Sequence, residues 1–233
     1  MFLQPSNSNC RWFDADTILL NPQIPVEIFL PPADFNQIHF IGTKDENGLN
    51  SGVFFIHVHE WSVRMIAKSI GFPLFRQDID LGYSIDQAAM AHILHDPENH
   101  DHVLYQPRHW FNTYYGGRKG DLLVHFPGIP HNERRHLMHT WLDEFEIRPR
   151  QFDIPLENTT YSEDIADYWD VLRGAKSILR AVDLHETGVS VISEDMTLAI
   201  GRLRTLLWEG VEELGELNQI VKDLTPMIRV QEM

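Results

Sequence analysis

The sequence of 233 residues has little cysteine and no long apolar run. Its one cysteine, Cys10, excludes an intrachain disulfide and a CxxC metal site. No apolar stretch approaches the roughly 18 residues that a membrane-spanning helix needs. The first ten residues have neither the basic nor the apolar stretch of a signal peptide. We therefore expect neither a membrane anchor nor a secretory signal within these residues.

Basic residues are also scarce, because 19 Lys and Arg stand against 34 Asp and Glu and give a formal net charge of −15 at pH 7. A surface of that sign repels phosphate backbones, so nucleic acid is excluded as an expected partner. It also repels a nucleotide diphosphate, which would need a bound cation to approach the protein.

Several common catalytic motifs are absent. The chain has no GxSxG, GxxxxGK[ST] or GxGxxG, which excludes the usual serine-hydrolase, P-loop and dinucleotide-binding sites. Its 13 histidines include no HExxH, because Glu60 follows His59 but no second histidine stands at the required step. A zinc protease is therefore not expected.

The pattern of apolar runs and turn residues predicts an α/β fold with helices on both faces of a sheet over residues 11 to about 147. The main predicted elements are strands at 38–42, 52–58, 103–106 and 122–125, and helices at 60–70, 84–94 and 132–145. Residues from about 160 to 228 are nearly free of proline and predict helices at 162–180 and 193–221. The apolar stripe of the second helix either packs onto the domain or forms a coiled-coil partner surface.

Two carboxylates one residue apart, Asp14 and Asp16, follow the predicted strand that ends at Phe13. Both can reach one hard cation such as Mg²⁺ or Mn²⁺, which prefers oxygen ligands and often shares them with substrate phosphates. A solvated loop is the alternative. His125 ends an apolar strand before the Pro127-Gly128 turn, and it is either a metal ligand or a structural histidine.

Polar residues also stand at the start of one strand and one helix. Gly52 would let backbone approach a ligand and Asn50 offers a donor and an acceptor, although an ordinary turn explains both. Asp86 and Gln87 could hold sugar hydroxyls in the first turn of their helix. Local sequence favours instead a capping box in which Gln87 pairs with Ser84.

Five stretches, in this order, resemble a known family. They are DADTILLNP (14–22), LNSGVFFIHVHEWS (49–62), the DQ of SIDQAAM (84–90), QPRHWFNTYY (106–115) and GDLLVHFPG (120–128). Together they are similar to the Golgi α-galactosyltransferase and α-mannosyltransferase family, which includes the xyloglucan xylosyltransferases. The resemblance covers about residues 12–145.

The resemblance implies an incomplete nucleotide-diphospho-sugar transferase fold of the GT-A type. Residues 1–150 would be a partial catalytic domain carrying its metal and acceptor half, and residues 151–233 a helical C-terminal extension. The implied site residues are the metal ligands Asp14, Asp16 and His125 for Mn²⁺ or Mg²⁺, the substrate-binding residues Asn50, Ser51, Gly52 and Gly128, and the catalytic pair Asp86 and Gln87.

The implied activity is metal-dependent transfer of galactose or mannose from a UDP- or GDP-sugar to a glycan, with retention of configuration. The favoured mechanism of the family is front-face transfer, in which a donor phosphate oxygen helps to deprotonate the acceptor hydroxyl. The implied location is the lumenal face of the Golgi membrane.

Two features depart from the family pattern. Related enzymes often follow the HFxG turn with a cysteine and a phosphate-binding lysine, whereas Ile129 and Pro130 stand here, and Arg134 or Arg135 would have to replace that cation. The DxD motif begins at residue 14, far earlier than in the family. The front of the domain is therefore expected to be missing, with weak donor binding and lowered stability.

Two alternatives remain at this point. An inactive, truncated glycosyltransferase could act as a binding or assembly subunit, forming a homo- or hetero-oligomer through the C-terminal helices. A phosphatase of the haloacid dehalogenase type would use Asp14 as nucleophile. Such enzymes need a later lysine and an acidic pair, but Gly120-Asp121 is followed by Leu-Leu-Val.

Overall fold

The computed structural model describes residues 9–186 and 193–231. The strands in these residues are β1 (Asn9–Phe13), β2 (Thr17–Leu19), β3 (Phe40–Asp45), β4 (Gly48–His57), β5 (Val103–Tyr105) and β6 (Leu123–His125). The α-helices are α1 (Glu60–Phe75), α2 (Ile85–Leu94), α3 (Arg108–Phe111), α4 (His131–Ile147), α5 (Tyr161–Glu186), α6 (Glu194–Glu209) and α7 (Gly215–Gln231).

The main sheet is mixed, with the strand order β1-β4-β3-β5. The long strand β4 runs antiparallel to both β1 and β3, while β5 joins β3 in parallel after the crossover through α1 and α2. A tight turn closes the β3–β4 hairpin at Gly48, whose φ of 98° suits glycine. The separate antiparallel pair β2–β6 lies beside this sheet and carries His125 at its end.

Helices cover both faces of the sheet, as the alternation of strands and helices predicts. On one face, residues of β3 and β4 such as Ile41 and Phe55 pack with the C-terminal helices in one cluster. On the other face, Phe40, Phe54 and Ile56 pack against α1 and α2. Because successive strand residues point to opposite faces, a sheet that is covered on both sides needs the near-continuous apolar runs found here. The α/β class is therefore confirmed.

The apolar stripe of the C-terminal helices is used within the chain. Met196, Ile200, Leu203 and Val221 are buried in the same cluster as the sheet residues. The stripe therefore packs onto the domain, which is the first of the two possibilities that the sequence left open. The predicted division at residue 150 stays a prediction.

Several predicted helix boundaries are wrong, and two of them have a clear structural reason. The helix expected at 193–221 is two helices, since α6 ends at Gly210 with a φ of 77° and α7 starts at Gly215. A Cβ at Gly210 would lie 2.7 Å from the Cβ of Tyr105, so glycine also makes room for β5. Helix α1 does not end at Gly71 but continues through Pro73 to Phe75, and Arg76 N–H then caps it on the Phe72 carbonyl.

Strand β1 is the outer strand of the described sheet, and its side chains are largely exposed, Trp12 and Phe13 among them. One of its edges therefore lacks a partner strand within the described residues. Among the helices of that part of the chain, none combines the length and apolarity needed to cross a membrane.

Candidate active site

The DxD segment turns sharply after β1. The backbone N–H of Asp14 donates to the Gly52 carbonyl on β4 at 2.8 Å, which continues the β1–β4 pairing by one residue. The Asp14 carbonyl then accepts from both the backbone N–H and the Oγ1 of Thr17, at 3.1 and 2.8 Å. This closed turn holds Asp14 and Asp16 beside each other, and the chain leaves it as β2.

His125 reaches the same place through strand pairing. Residue Thr17 of β2 pairs with His125 of β6, and the Phe126 N–H donates to the Asp16 carbonyl at 3.0 Å. The His125 Nε2 consequently lies 3.3 Å from Asp16 Oδ1. One ligand atom from each of Asp14, Asp16 and His125 lies within 4.8 Å of the other two. The predicted convergence of these three side chains is confirmed, although 109 positions separate residues 16 and 125.

The imidazole of His125 is buried and in contact with acids. Burial lowers the pKa of His125, and the carboxylates of Asp16 and Asp14 only partly oppose that shift. The ring is therefore neutral at physiological pH, the form that binds metals. Two carboxylates and one neutral imidazole make an oxygen-rich donor set that fits a divalent cation such as Mn²⁺ or Mg²⁺.

Arginine from α4 also contacts the motif. Arg134 Nη1 donates to Asp16 Oδ2 from the first turns of the helix. Together with Arg135, His131 and His139, it lines a cavity of about 640 Å³ whose wall includes Asp14 and Asp16. A cationic surface therefore lies beside the DxD segment.

A second cavity, of about 670 Å³, is also lined by Asp14 and Asp16. Its lining includes seven of the predicted site residues, namely Asp14, Asp16, Asn50, Gly52, Gln87, His125 and Gly128. It also includes Asp45, Tyr114 and Tyr115, which the sequence analysis did not single out. The polar and acidic lining offers hydrogen-bond donors and acceptors to a ligand.

Gln87 has a different partner from the one that local sequence favours. Its Oε1 accepts from the backbone N–H and the Oγ of Ser51, at 3.0 and 3.2 Å. Ser84 makes no side-chain cap, so the predicted capping box is wrong. Gln87 instead ties the start of α2 to β4 beside Asn50.

Asp86 lies apart from this group. It is exposed in the first turn of α2 and is not part of the lining of the cavity, although its neighbour Gln87 is. Its catalytic role stays a prediction.

Glycine at position 52 serves the packing of His125. A Cβ there would lie 2.2 Å from His125 Cε1 and 2.8 Å from Nε2, well inside contact distance. The close approach predicted for Gly52 is therefore made by the imidazole ring. At Gly128 the φ of 68° calls for glycine in the turn that follows β6.

The sequence analysis did not predict the contacts that Asp45, Tyr114 and Asn112 make in the site. Tyr114 OH donates to Asp45 Oδ2 and accepts from Asn50 Nδ2 at 3.0 Å. Burial, with Asp45 beside it, raises the pKa of Tyr114 above its ordinary value, so the phenol keeps its proton. Asn112 is fully buried and contacts His125 Nδ1 at 2.7 Å. Asn112 and Tyr114 stand in the stretch QPRHWFNTYY, where an amide among aromatic residues was the available signal.

Comparison with known proteins finds one matching family and two similar proteins. Residues 32–136 match the galactosyl transferase GMA12/MNN10 family. An α-1,2-galactosyltransferase of Schizosaccharomyces pombe is 33% identical over 116 residues, which are 45% of this chain and 30% of that protein. An uncharacterized α-1,2-galactosyltransferase of the same organism is 33% identical over 102 residues, 41% of this chain and 26% of that protein.

The matched part of the chain spans less than a third of the length of these relatives. No solved structure matches the chain. The family match contains His125, Asn50, Gln87 and Asn112, whereas Asp14 and Asp16 precede it. Over residues 32–136 the chain is therefore similar to the galactosyl transferase GMA12/MNN10 family, and this similarity supports a glycosyltransferase.

Proposed function

We propose that this chain carries the metal and acceptor half of a metal-dependent retaining hexosyltransferase of the GT-A type. The reaction moves galactose or mannose from a UDP- or GDP-sugar to a glycan. The observation that carries the proposal is the convergence of Asp14, Asp16 and His125 at a polar cavity whose lining residues other than the two aspartates lie within the family match. The match of residues 32–136 to a galactosyl transferase family favours this transfer over the phosphatase alternative.

The charge of the protein requires a cation at this site. Asp14, Asp16 and His125 would hold Mn²⁺ or Mg²⁺, which when bound offsets negative charge on the leaving diphosphate. Arg134 and Arg135, in the neighbouring cavity, supply further positive charge in place of the family's lysine. Because the chain carries a net charge of −15, these groups are what allows a diphosphate to bind.

The polar cavity supplies positioning. Asp45, Asn50 and Tyr114 present a fixed set of hydrogen-bonding groups along one wall, and Gln87 lies nearby through its bonds to Ser51. Sugar hydroxyls would bind there. The transfer needs no dedicated base among these residues, since a donor phosphate oxygen helps to remove the acceptor proton and the site aligns the partners.

Asp86 and Gln87 remain the acid–amide pair of the proposal. Asp86 lies on the exposed turn next to the cavity, where an incoming glycan acceptor could reach its carboxylate.

A binding or assembly subunit is the second candidate function. Helix α1 supports it, because Val63, Ile70 and Leu74 are each at least 65% exposed on its outer side. An exposed apolar face of that kind suits a protein partner in a homo- or hetero-oligomer. The edge of β1 that is unpaired within the described residues also supports a protein partner.

A donor assay tests the proposal. The purified 233-residue chain is titrated calorimetrically with UDP and GDP, with Mn²⁺ and with EDTA, and transfer from UDP-galactose and GDP-mannose to a mannose-terminated oligosaccharide is followed. We expect nucleotide binding that requires Mn²⁺ and is lost in Asp16→Asn. Nucleotide binding that EDTA and Asp16→Asn leave unchanged would overturn the metal site. Metal-dependent binding without transfer would favour the assembly subunit.

A further inference from the structure

Four buried polar side chains form a continuous hydrogen-bonded chain behind the proposed metal site. Thr43 and Asn112 are fully buried, Asn50 is 5% exposed and His125 is 2% exposed. Water cannot easily replace a partner at such depth, so each donor must meet an acceptor within the protein. Two groups that flank Asn50 in this network have roles fixed by their chemistry. They are the backbone N–H of Gly52, which only donates, and the ionised carboxylate of Asp45, which only accepts.

Both of these groups determine the same orientation of the Asn50 amide. The Gly52 N–H donates to one atom of the Asn50 amide at 3.0 Å, which must therefore be Oδ1. The Asp45 carboxylate accepts from Tyr114 OH, so the phenol oxygen can only accept a bond from Asn50. The Asn50 atom that lies 3.0 Å from the phenol oxygen is therefore Nδ2. The oxygen and nitrogen of an amide are assigned from such networks. The agreement of the two groups therefore fixes which atom of Asn50 is the oxygen.

The orientation of Asn112 follows from that of Asn50. Asn50 Oδ1 can only accept, so the Asn112 atom that lies 3.0 Å from it must be the donor Nδ2, which makes a second bond to Thr43 Oγ1 at 2.7 Å. The other atom of the Asn112 amide is then Oδ1, and it lies 2.7 Å from His125 Nδ1. An oxygen at that distance requires a proton on Nδ1.

We propose that Asn112 is a positioning residue that fixes His125 as its Nδ1–H tautomer and so makes Nε2 available as a metal ligand. The proposal rests on the metal-dependent function above. The opposite tautomer would place the proton on Nε2, which would donate to Asp16 Oδ1 at 3.3 Å and close the site as an ordinary His–Asp pair. With Asn112 in place, Nε2 and the Asp16 oxygen are both acceptors, so their approach favours a cation between them.

The chain also links the metal site to the wall of the cavity. Asn50, Tyr114 and Asp45 line the cavity, whereas Asn112 is not part of the lining and contacts the lining residues Asn50 and His125 from behind. Asn112 therefore acts on the reaction only through His125 and Asn50. This is the arrangement in which a residue beyond the ligands tunes a metal site.

The tautomer can be measured without metal or substrate. Long-range ¹H–¹⁵N correlation spectra of the full chain, labelled with ¹⁵N-histidine, report which ring nitrogen of each histidine carries the proton. Comparison with His125→Gln assigns the signals of His125. We expect the Nδ1–H tautomer. A proton on Nε2 in the metal-free protein would overturn the proposal even if Mn²⁺ binds.

Two variants separate positioning from packing. Asn112→Asp and Asn112→Leu both lose the bonds to Thr43 and Asn50, but only the Asn112→Asp variant keeps an acceptor for His125 Nδ1–H. Both should melt at a lower temperature. Only Asn112→Leu should show mixed tautomers and a Mn²⁺ affinity weaker by about 10- to 100-fold, measured by electron paramagnetic resonance.

The two proposals fail in different ways. Equal loss of Mn²⁺ affinity in both variants, in proportion to their melting temperatures, would reduce Asn112 to a packing residue and overturn the inference. Absence of Mn²⁺ binding in the unaltered chain, with the Nδ1–H tautomer observed, would reject the proposed function and leave the role of Asn112 in the tautomer intact.

Discussion

Histidines occupy two opposite surroundings in this molecule. His125 faces the carboxylates of Asp14 and Asp16, and an amide oxygen holds its other nitrogen. His39, immediately before β3, lies among three other imidazoles. It stacks on His59 with 4.0 Å between ring centroids and contacts His57 and His102. Trp61 packs against the same group.

The difference lies in the neighbours, since burial lowers the pKa of both rings. At His125 the carboxylates oppose that shift, whereas at His39 the nearby imidazoles add to it and lower the pKa to about 4. One environment attracts a cation and the other resists positive charge. The same side chain is therefore suited to metal binding in one place and to neutral packing in the other.

Substituting one histidine from each group gives the largest expected difference in Mn²⁺ affinity. We expect His125→Gln to weaken Mn²⁺ binding by at least about 100-fold, since even partners beyond the ligands are worth about 10- to 100-fold. His39→Phe is the matched control and should bind Mn²⁺ as the unaltered chain does. Paramagnetic resonance titrations measure both. Equal affinities for the two variants would remove the contrast.

Close packing around His125 is the next feature to test. Gly52→Ala would bring a methyl group to 2.2 Å from His125 Cε1, so the ring or β4 must move. We expect a loss of about 1–3 kcal/mol in the free energy of unfolding, the usual cost of overpacking, together with weaker Mn²⁺ binding.

Gly116→Ala is the control for that substitution, because a Cβ there meets nothing within 4 Å and its φ is not positive. Urea unfolding compares the two variants. A Gly52→Ala protein as stable as Gly116→Ala would show that the site is looser than described.

Acid should break the histidine cluster. The folded pKa of His39 lies below its ordinary value of 6.5, so the unfolded chain binds the proton more readily and stability is lost as pH falls from about 6.5 towards about 4. We expect a loss on the order of 1 kcal/mol between pH 7 and pH 5 from this group. His39→Phe should flatten the pH dependence of the unfolding free energy. An unchanged slope in His39→Phe would mean that other groups cause it.

Asp86 offers the smallest effect on stability. It is exposed, so Asp86→Ala should change the free energy of unfolding by less than about 0.5 kcal/mol. If Asp86 serves the acceptor as proposed, transfer in an active preparation should nevertheless fall clearly. Matched thermal melts and transfer assays decide this. Unchanged transfer would remove Asp86 from the site and leave Gln87 alone.

Local pattern was sufficient for much of the fold. The apolar runs around 52–58 and the helical spacing at 60–70 and 84–94 predict elements that the structure contains as β4, α1 and α2. The ends of the helices were less well predicted, because Pro73 is tolerated within α1 and because Gly210 ends α6 against Tyr105. The second cause is a contact between residues 105 positions apart, which no local pattern reports.

Residue types and their spacing made Asp14, Asp16 and His125 possible ligands, and the resemblance to a known family selected them together with the stretches that carry Asn50 and Gln87. Folding in three dimensions was needed to show that Gln87 binds Ser51, 36 positions away, and that Asn112 reaches Thr43, 69 positions away. The physical reason is that buried polar groups must find partners wherever folding brings them. Residue type and local spacing state what a side chain can bind, and the packing of β4, β6 and α2 decides what it does bind.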